Sequence, residues 1–155
     1  MADAALTQDK ASAAEEPDFG ELDEIVGFHL RLAHGAVYRH FTESFAELDL
    51  TQKQVSVLWM VGDVPGLAQI EVGTRLRMDR ATTMTIVNRL QARGYLRRER
   101  SDSDGRKQAL HLTEDGKKAL MQAKSCIAEH EKWLKSRFTR EESEKLVEML
   151  ARIHE

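Results

Sequence analysis

Basic side chains are concentrated in one part of this sequence, between Arg75 and Lys107. That segment contains ten Arg and Lys residues and four acidic residues, a net charge of +6, whereas the whole chain of 155 residues has a formal net charge of −3. A local surplus of positive charge favours binding to nucleic-acid phosphates, because neutralising phosphates releases condensed counterions. The segment therefore predicts a phosphate-binding surface on a chain that is otherwise acidic.

Two helices and a hairpin would position these residues. A short helix is predicted over LAQIEVGTRL, and Asp79 is a suitable N-cap for a further helix that ends at Gly94. Two runs typical of strands follow, YLRRERS and KQALHLT, joined by the polar turn DSDG. Two helices separated by a tight turn, with a hairpin directly after the second, are typical of a winged helix-turn-helix that binds DNA.

The helix after Asp79 has one apolar and one polar face. Helical periodicity places Thr83 with Ile86 and Leu90 on the buried face. The other face has small and hydrogen-bonding side chains, which suit a helix that enters the major groove. An ordinary amphipathic surface helix is the alternative. The predicted DNA-binding residues of the whole region are Arg75, Arg80, Thr82, Thr83, Thr85, Asn88, Arg89, Arg98, Asp104, Arg106 and Lys107.

Three of these residues have more specific expected roles. Arg89 is expected to contact phosphate or guanine, and Asn88 is a candidate for adenine. Arg106, beside the hairpin turn, is expected to lie in a minor groove, where the negative potential favours Arg. A salt bridge from Arg106 to Asp102 or Asp104 would instead fix the hairpin, and the two roles are compatible.

The remaining sequence predicts long helices on both sides of this region. Apolar residues recur at three- and four-residue spacing from about Glu21 onward, which predicts a first helix of more than twenty residues. Thr51 with Gln54 predicts a capped second helix, and Thr113 and Thr139 predict the caps of two final helices. The predicted order is α-α-α-α-β-β-α-α, a mainly α (α+β) fold.

Length and composition favour a single domain in the cytoplasm. A chain of 155 residues with 41% hydrophobic residues can bury a core of its own. The apolar runs are too short to span a membrane, and the N-terminus lacks the pattern of a secretory signal. The single cysteine, Cys126, fits a reducing compartment. Because no catalytic or phosphate-loop motif is found, neither an enzyme nor a cofactor is predicted.

The segment from Asp79 to Gly116 resembles the core of the MarR (multiple antibiotic resistance regulator) family. It matches the family's wing motif, Asp-x-Arg followed by Leu-Thr-x-x-Gly, and the Arg-Leu and Gly that end the recognition helix. The stretch LTQKQVSVLWMV is similar to the opening of the family's second helix. Thr85 stands where many members have Arg. The matching positions are Asp104, Arg106, Leu112, Thr113, Gly116, Arg89, Leu90 and Gly94.

The resemblance covers all of the chain except an N-terminal arm. Residues 1–19 lack apolar periodicity, which predicts a flexible arm. The resemblance implies a single domain over residues 20–155. Within that domain it implies dimerisation helices in residues 20–50 and 114–155 and a winged helix-turn-helix lobe in residues 51–113. It also implies a homodimeric regulator, typically a repressor, that binds a pseudo-palindromic operator and is released by a small ligand.

The residues themselves also favour a dimer. A long first helix and an apolar last helix flank the predicted DNA-binding lobe. Two-fold symmetry would match half-sites about 34–36 Å apart. A monomer with both helices folded onto the lobe is the alternative.

A polar and aromatic cluster on the first helix, with two residues of the second, is the candidate ligand site. Mostly apolar cavities with a few convergent polar groups are typical sites for small molecules. The resemblance places the effector pocket between the dimerisation helices and the lobe, and it implies an aromatic acid or its acyl-CoA thioester. The alternative is a solvated helix face and Trp59 in the core. The predicted ligand-binding residues are Phe28, His29, Arg31, His34, Tyr38, Trp59 and Met60, with Arg39 and His40 in the same cluster.

Three other functions are weighed against this one. His29, His34 and His40 could bind zinc in a metal-responsive regulator, but spacings of five and six residues spread them around the helix. Cys126 could be a redox sensor, but it follows the apolar spacing of its helix without an adjacent base. A winged helix used only for protein contacts would not need the positive segment. A ligand-responsive DNA-binding regulator without a metal is therefore preferred.

Overall fold

The computed structural model describes residues 19–100 and 108–154. Within these residues the protein is mainly α-helical with a two-stranded antiparallel sheet, as predicted. None of the described helices has both the length and the apolar character needed to span a lipid bilayer. A 3-10 helix over Gly20–Glu24 is followed by α1 (Val26–Ser44), α2 (Gln52–Asp63), α3 (Gln69–Arg75), α4 (Arg80–Ala92), β1 (Leu96–Arg100), β2 (Gln108–Leu112), α5 (Glu114–Lys135) and α6 (Arg140–His154).

The first helix differs from the predicted continuous helix that begins at about Glu21. The backbone of Ile25 is extended (φ −91°, ψ 105°) and separates the 3-10 helix from α1. At the other end, α1 stops at Ser44 and the chain continues in turns to Asp49, whose φ of 48° is left-handed. The apolar spacing continues past both ends of α1, whereas the helical backbone does not.

The predicted caps at Thr51 and Thr139 are both confirmed as capping boxes. The Thr51 hydroxyl accepts from the backbone N–H of Gln54 (3.3 Å), and the Gln54 side chain accepts from the backbone N–H of Thr51 (2.9 Å). Thr139 and Glu142 make the same reciprocal pair of hydrogen bonds before α6. These caps fix the residues at which α2 and α6 begin.

The described residues form two compact units, one ending at Gly35 and the other beginning at Ala36. In the first unit, the Phe19 ring packs edge-on against the Phe28 ring, with centroids 5.1 Å apart. The second unit contains the hydrophobic core, whose burial from water is the main source of its stability. The fully buried side chains of this core include Phe45, Val57, Leu58, Val61, Val72, Val87, Leu90 and Leu110.

Gly94 joins α4 directly to the hairpin. Its φ of 73° is left-handed, and the N–H of Tyr95 donates to the carbonyl of Leu90 (2.9 Å), which closes the C-terminal end of α4. β1 then begins at Leu96 and pairs with β2 from Leu96↔Leu112 onward. The hairpin is therefore attached to the end of α4 without an intervening linker.

A third extended segment, which the sequence did not predict, lies beside β2. The N–H of Leu110 donates to the carbonyl of Leu67, and the N–H of Gly66 donates to the carbonyl of Leu110, each at 2.9 Å. Ala68 forms an isolated antiparallel bridge with Ala109. The chain before α3 is thus hydrogen-bonded to the hairpin, which ties the helix-turn-helix to the sheet.

Candidate functional site

Asp79 begins α4 as its N-cap, as predicted. Its carboxylate accepts from the backbone N–H of Thr82 (2.8 Å) and from the Thr82 hydroxyl (2.5 Å). Because these hydrogen bonds favour the charged carboxylate, they hold the pKa of Asp79 below its ordinary value of 3.8. The hydroxyl of Thr82, a predicted DNA contact, donates its proton to this cap, and DNA binding by Thr82 stays a prediction.

The two faces of α4 follow the predicted periodicity. Ile86 is buried on one side, and Asn88 and Arg89 are exposed on the other. Thr83 lies on the buried face with 2% exposure, and its hydroxyl donates to the backbone carbonyl of Asp79 (2.8 Å). The prediction that Thr83 binds DNA is wrong, because its side chain is enclosed by the fold and cannot reach a groove.

Four other predicted DNA-binding residues are exposed. Arg75 lies at the C-terminal end of α3, and Arg80 is the first residue of α4. Thr85 and Arg89 lie one turn apart on α4. All four lie on the two helices of the helix-turn-helix, where a duplex could contact them.

Arg98 contacts three amide side chains. Its Nη2 donates to Oδ1 of Asn88 (2.7 Å) and to Oε1 of Gln69 (3.0 Å), and its Nη1 donates to Oε1 of Gln91. Arg98 is half-buried and was predicted to bind DNA directly. The structure instead places its guanidinium between β1, α3 and α4, where it is bound to the side chains of both helices.

Arg93 shows that part of the positive charge serves the fold. Its guanidinium donates to the backbone carbonyls of Leu48 (2.9 Å) and Asp49 (2.5 Å) and lies 4.9 Å from the centre of the Tyr95 ring. These contacts attach the C-terminal end of α4 to the turn before α2. The net charge of the segment therefore overstates the charge that faces a partner.

The hairpin turn lies outside the described residues. It contains three of the predicted DNA-binding residues, Asp104, Arg106 and Lys107. The strands that lead to it end at Arg100 and resume at Gln108. DNA binding by these three residues stays a prediction.

A cavity of about 800 Å³, here called the cationic cavity, is formed by α2, the hairpin and α5. Its basic groups come from three elements: Arg97 from β1, His111 from β2, and Lys117 and Lys124 from α5. Apolar side chains complete the lining and provide a surface for an uncharged part of a ligand. They are Val61, Pro65, Leu112, Leu120, Met121 and Ala128.

The basic groups of the cationic cavity form ion pairs with carboxylates that are not part of its lining. Surface pairs of this kind contribute only about 0–1 kcal/mol, so a bound anion can replace the carboxylate. Arg97 pairs with Glu99, as would His111 when protonated. The remaining pairs are Lys117–Glu114 at 2.7 Å and Lys124–Asp63 at 3.5 Å.

A second cavity of about 490 Å³, here called the apolar cavity, lies between α1, α2 and α5 within the second unit. Trp59 and Met60, both predicted ligand-binding residues, line it. Asp63 and Glu131 also border it. Each of these carboxylates is paired with a lysine, Asp63 with Lys124 (3.5 Å) and Glu131 with Lys135 (3.0 Å). The border therefore carries little net charge, and this cavity suits an uncharged ligand better than an aromatic acid. Its other apolar residues are Val37, Phe41, Val55, Leu76, Ile127 and Leu134.

Lys124 and Trp59 connect the linings of the two cavities. The Nζ of Lys124 lies 4.6 Å from the centre of the Trp59 ring, a cation–π contact. Lys124 lines the cationic cavity and Trp59 lines the apolar cavity. Replacing or moving the Trp59 ring would therefore shift Lys124, one of the basic groups of the cationic cavity.

His130 is a buried polar residue that the sequence analysis missed. Its Nδ1 lies 2.8 Å from Nδ1 of His40, and the His40 ring stacks on Trp133 with centroids 3.9 Å apart. Burial, together with the neighbouring His40, lowers the pKa of His130 below 6.5. The spacing from Ala123 to Ile127 to His130 follows one helix face and could have indicated this burial.

The predicted ligand-binding residues of α1 are divided between the two units. Four of them belong to the first unit, and Tyr38 belongs to the second. In the first unit, the Arg31 guanidinium lies 5.2 Å from the centre of the Phe28 ring, and Nε2 of His29 is hydrogen-bonded to the carbonyl of Asp23 (2.7 Å). His34 is exposed in that unit. In the second unit, Tyr38 lines a small depression with Thr42 and Phe45 rather than either larger cavity.

The metal and thiol alternatives gain no support in the part of the chain that the structure describes. No group of three or more His, Cys, Asp or Glu residues there is placed to hold a metal ion. Cys126 is partly buried, and burial raises the pKa of its thiol, with Glu129 and Glu47 adding to the effect. A raised pKa disfavours the thiolate that a redox sensor needs.

The fold and its central sequence match known regulators. Residues 48–107 match the model of the MarR family. The transcriptional repressor CouR, bound to a 23-mer DNA duplex, is 35% identical with a TM-score of 0.84, over 90% of this chain and 99% of that one. CouR bound to p-coumaroyl-CoA is 34% identical with a TM-score of 0.80, over 90% of this chain and 98% of that one.

Two further proteins that are similar to this chain are also transcriptional regulators. PcaV of Streptomyces coelicolor, in complex with its natural ligand, is 28% identical with a TM-score of 0.81, over 89% of this chain and 97% of that one. The transcriptional regulator HosA of Escherichia coli O157:H7 is 29% identical over 105 residues, 68% of this chain and 78% of HosA.

A helix-turn-helix with an exposed polar second helix and an attached hairpin defines a winged-helix DNA-binding protein. The chain belongs to the MarR family of transcriptional regulators. It is accordingly a regulator of transcription and not an enzyme.

Proposed function

We propose that this protein is a homodimeric repressor that binds a pseudo-palindromic operator and is released by a small aromatic effector, an aromatic acid or its acyl-CoA thioester. The observation that carries this proposal is that the cationic cavity and the DNA-binding hairpin share residues. Arg97, His111 and Leu112 belong to the strands of the hairpin and also line the cavity. A ligand in this cavity would contact the hairpin itself.

The DNA-binding half of the proposal rests on α4. Arg75, Arg80, Thr85 and Arg89 would contact the duplex, with Asp104, Arg106 and Lys107 on the wing. Arg89 would bind phosphate or guanine, and small side chains such as Ala81 allow the helix to approach the groove. We place the protein in the cytoplasm, where a regulator of this kind meets its operator.

The dimer rests on apolar residues that a single chain leaves exposed. In α6, none of the described residues is buried, and Val147 and Ile153 are 66% and 64% exposed. In the first unit, Ile25 and Val26 are 51% and 70% exposed. Contiguous exposed apolar faces on helices are typical of protein interfaces. We therefore assign residues 20–50 and 114–155 to dimerisation and residues 51–113 to the DNA-binding lobe. The predicted arm, residues 1–19, lies outside the described residues except for Phe19.

The effector class follows from the charges of the two cavities. The cationic cavity offers basic groups above an apolar lining, which suits an aromatic ring that carries a carboxylate or the phosphates of a thioester. The apolar cavity has carboxylates at its border. CouR has a solved structure bound to p-coumaroyl-CoA, and PcaV has one in complex with its natural ligand, which supports a ligand of this kind here.

The predicted ligand-binding residues then have different roles. Trp59 acts on the effector by holding Lys124, and Met60 packs beside it in the apolar cavity. The α1 residues Phe28, His29, Arg31, His34 and Tyr38 line neither cavity, and ligand binding by them stays a prediction. Release of DNA requires only that the effector bind more tightly to a dimer whose wings are wrongly spaced.

A fluorescence anisotropy titration tests this function. The probe is the duplex immediately upstream of the protein's own gene, and the compounds are simple aromatic acids and their CoA thioesters. We expect one compound to weaken DNA binding by the native protein but not by Lys124→Ala, whose ligand-free DNA affinity should be unchanged. Lys118→Ala, an exposed lysine of α5 that does not line the cavity, is the matched control.

The possible failures point to different parts of the proposal. Binding that no compound weakens would contradict the effector but leave the DNA-binding function in place. Absence of binding at every salt concentration would contradict the DNA-binding function itself, because phosphate contacts strengthen as salt is lowered.

A further inference from the structure

We propose that Arg98 is a positioning residue that fixes the amide of Asn88 with its NH₂ group facing outward, so that α4 recognises hydrogen-bond acceptors on the bases. The favoured contact is then guanine or thymine, and not the adenine that the sequence alone suggested for Asn88. This inference rests on the proposed entry of α4 into a major groove.

The direction of the Asn88 amide follows from the chemistry of Arg98. A guanidinium has five N–H donors and no acceptor, so the amide corner that faces it is the oxygen. The distance from Nη2 of Arg98 to Oδ1 of Asn88 is 2.7 Å, which is short for a neutral hydrogen bond and typical of a charge-assisted one. Because the amide is planar, its NH₂ group points away from Arg98.

Two glutamines hold Arg98 in place. Oε1 of Gln69, on α3, accepts from Nη2 (3.0 Å), and Oε1 of Gln91, on α4, accepts from Nη1. A planar guanidinium held at both terminal nitrogens cannot rotate without breaking these bonds. Arg98 therefore acts as a fixed support for Asn88 and not as a mobile side chain that follows a phosphate.

An amide fixed in this way has a limited choice of bases. Two hydrogen bonds to adenine need the amide oxygen at N6–H and the amide NH₂ at N7. In Asn88 the oxygen is turned toward Arg98, which occupies one of its two lone pairs, so the NH₂ group is the part of the amide that we expect to face a base. Donors alone match the adjacent acceptors O6 and N7 of guanine, or O4 of thymine. N7 of adenine is also an acceptor, but it lies beside the N6 amino group, a donor that opposes the NH₂ group of Asn88.

The substitution Arg98→Lys separates positioning from phosphate binding. Lysine keeps the charge, but its compact ammonium cannot hold three amides in the geometry of a guanidinium. The experiment determines the base preference at each operator position by competition with single-base variants at fixed salt, for the native protein, Asn88→Ala and Arg98→Lys. Asn88 is exposed, so its alanine variant is expected to fold, and thermal unfolding checks Arg98→Lys.

We expect guanine or thymine at a position whose preference is lost in Asn88→Ala. At that same position, the ratio of affinities for the favoured base and its replacements should be at least about fivefold smaller in Arg98→Lys than in the native protein. The slope of log K against log salt should be unchanged. Arg140→Lys, at an exposed arginine of α6 whose partner is Glu144, should change neither quantity and is the control.

Three results would overturn the inference. They are an adenine at the position that depends on Asn88, an unchanged base preference in a folded Arg98→Lys, or an unchanged preference in Asn88→Ala. A native protein that binds operator and random DNA equally would instead overturn the proposed sequence-specific function, and the inference with it.

Discussion

Gly116, in the first turn of α5, lies directly against the backbone carbonyl of Tyr95, at the start of the hairpin. A Cβ atom at Gly116 would be 2.0 Å from the carbonyl oxygen and 2.9 Å from the carbonyl carbon of Tyr95. That carbonyl is itself fixed, since it accepts from the N–H of Thr113 (3.1 Å). The absence of a side chain at Gly116 is therefore what allows α5 to pack on the hairpin.

Gly116→Ala should destabilise the protein strongly. The added methyl group meets backbone and not the end of a flexible side chain, so the strands or α5 must move apart. We expect a loss of about 3 kcal/mol, at the upper end of the range for overpacking, measured by urea unfolding. Lys118→Ala, on the exposed surface of the same helix, should stay within about 0.5 kcal/mol of the native protein. A stable Gly116→Ala protein would show that this contact adjusts easily.

Stability should fall in acid partly because of Asp79. Hydrogen bonds from Thr82 lower the pKa of this carboxylate in the folded protein, so the folded chain binds its proton less readily than the unfolded chain. The contribution of Asp79 to stability is complete at pH values above its ordinary pKa of 3.8. It is lost as the pH falls through the lower pKa that Asp79 has in the folded protein. In Asp79→Asn, which keeps an oxygen as cap but does not titrate, thermal unfolding between pH 5 and about pH 2 should depend less on pH.

His130 should contribute a second pH dependence, near neutrality. Its pKa is lowered in the folded protein, so below pH 6.5 the unfolded chain binds a proton that the folded chain refuses. The stability that neutral His130 contributes is therefore fully present above pH 6.5 and is lost as the pH falls toward the pKa of His130 in the folded protein. His130→Gln can still hydrogen-bond to His40 but does not titrate, and it should remove this part of the dependence. Equal slopes for both proteins between pH 7.5 and 5.5 would contradict the prediction.

The sequence predicted the helix-turn-helix well because its signals are local. Asp79 as a cap, the buried face around Ile86 and the turn at Gly94 each depend on a few neighbouring residues. The limits of α1 were less predictable, because apolar spacing does not show where the backbone leaves the helix. Nothing near Leu67 in sequence indicates its pairing with Leu110, which is a long-range contact.

The same distinction explains the errors at the candidate site. Thr83 was assigned to DNA by residue type although its periodicity already placed it inside. The role of Arg98 depends on amides from two other elements, and the positive charge alone does not distinguish Arg93, bound to backbone carbonyls, from Arg89, which faces outward. Charge counted along a sequence gives the sign of a surface but not which guanidinium groups form it.

Arg89 offers the most direct test of the DNA-binding face. It is exposed on α4, away from the buried face that holds Leu90, so its removal should not disturb the core. We expect Arg89→Ala to weaken operator binding by roughly 1–3 kcal/mol if the guanidinium contacts guanine, with a much smaller loss on random DNA of the same length. An equal loss on both, with a salt slope reduced by about one, would assign Arg89 to a phosphate. Arg140→Ala, an exposed arginine on α6, is the control and should leave both affinities unchanged.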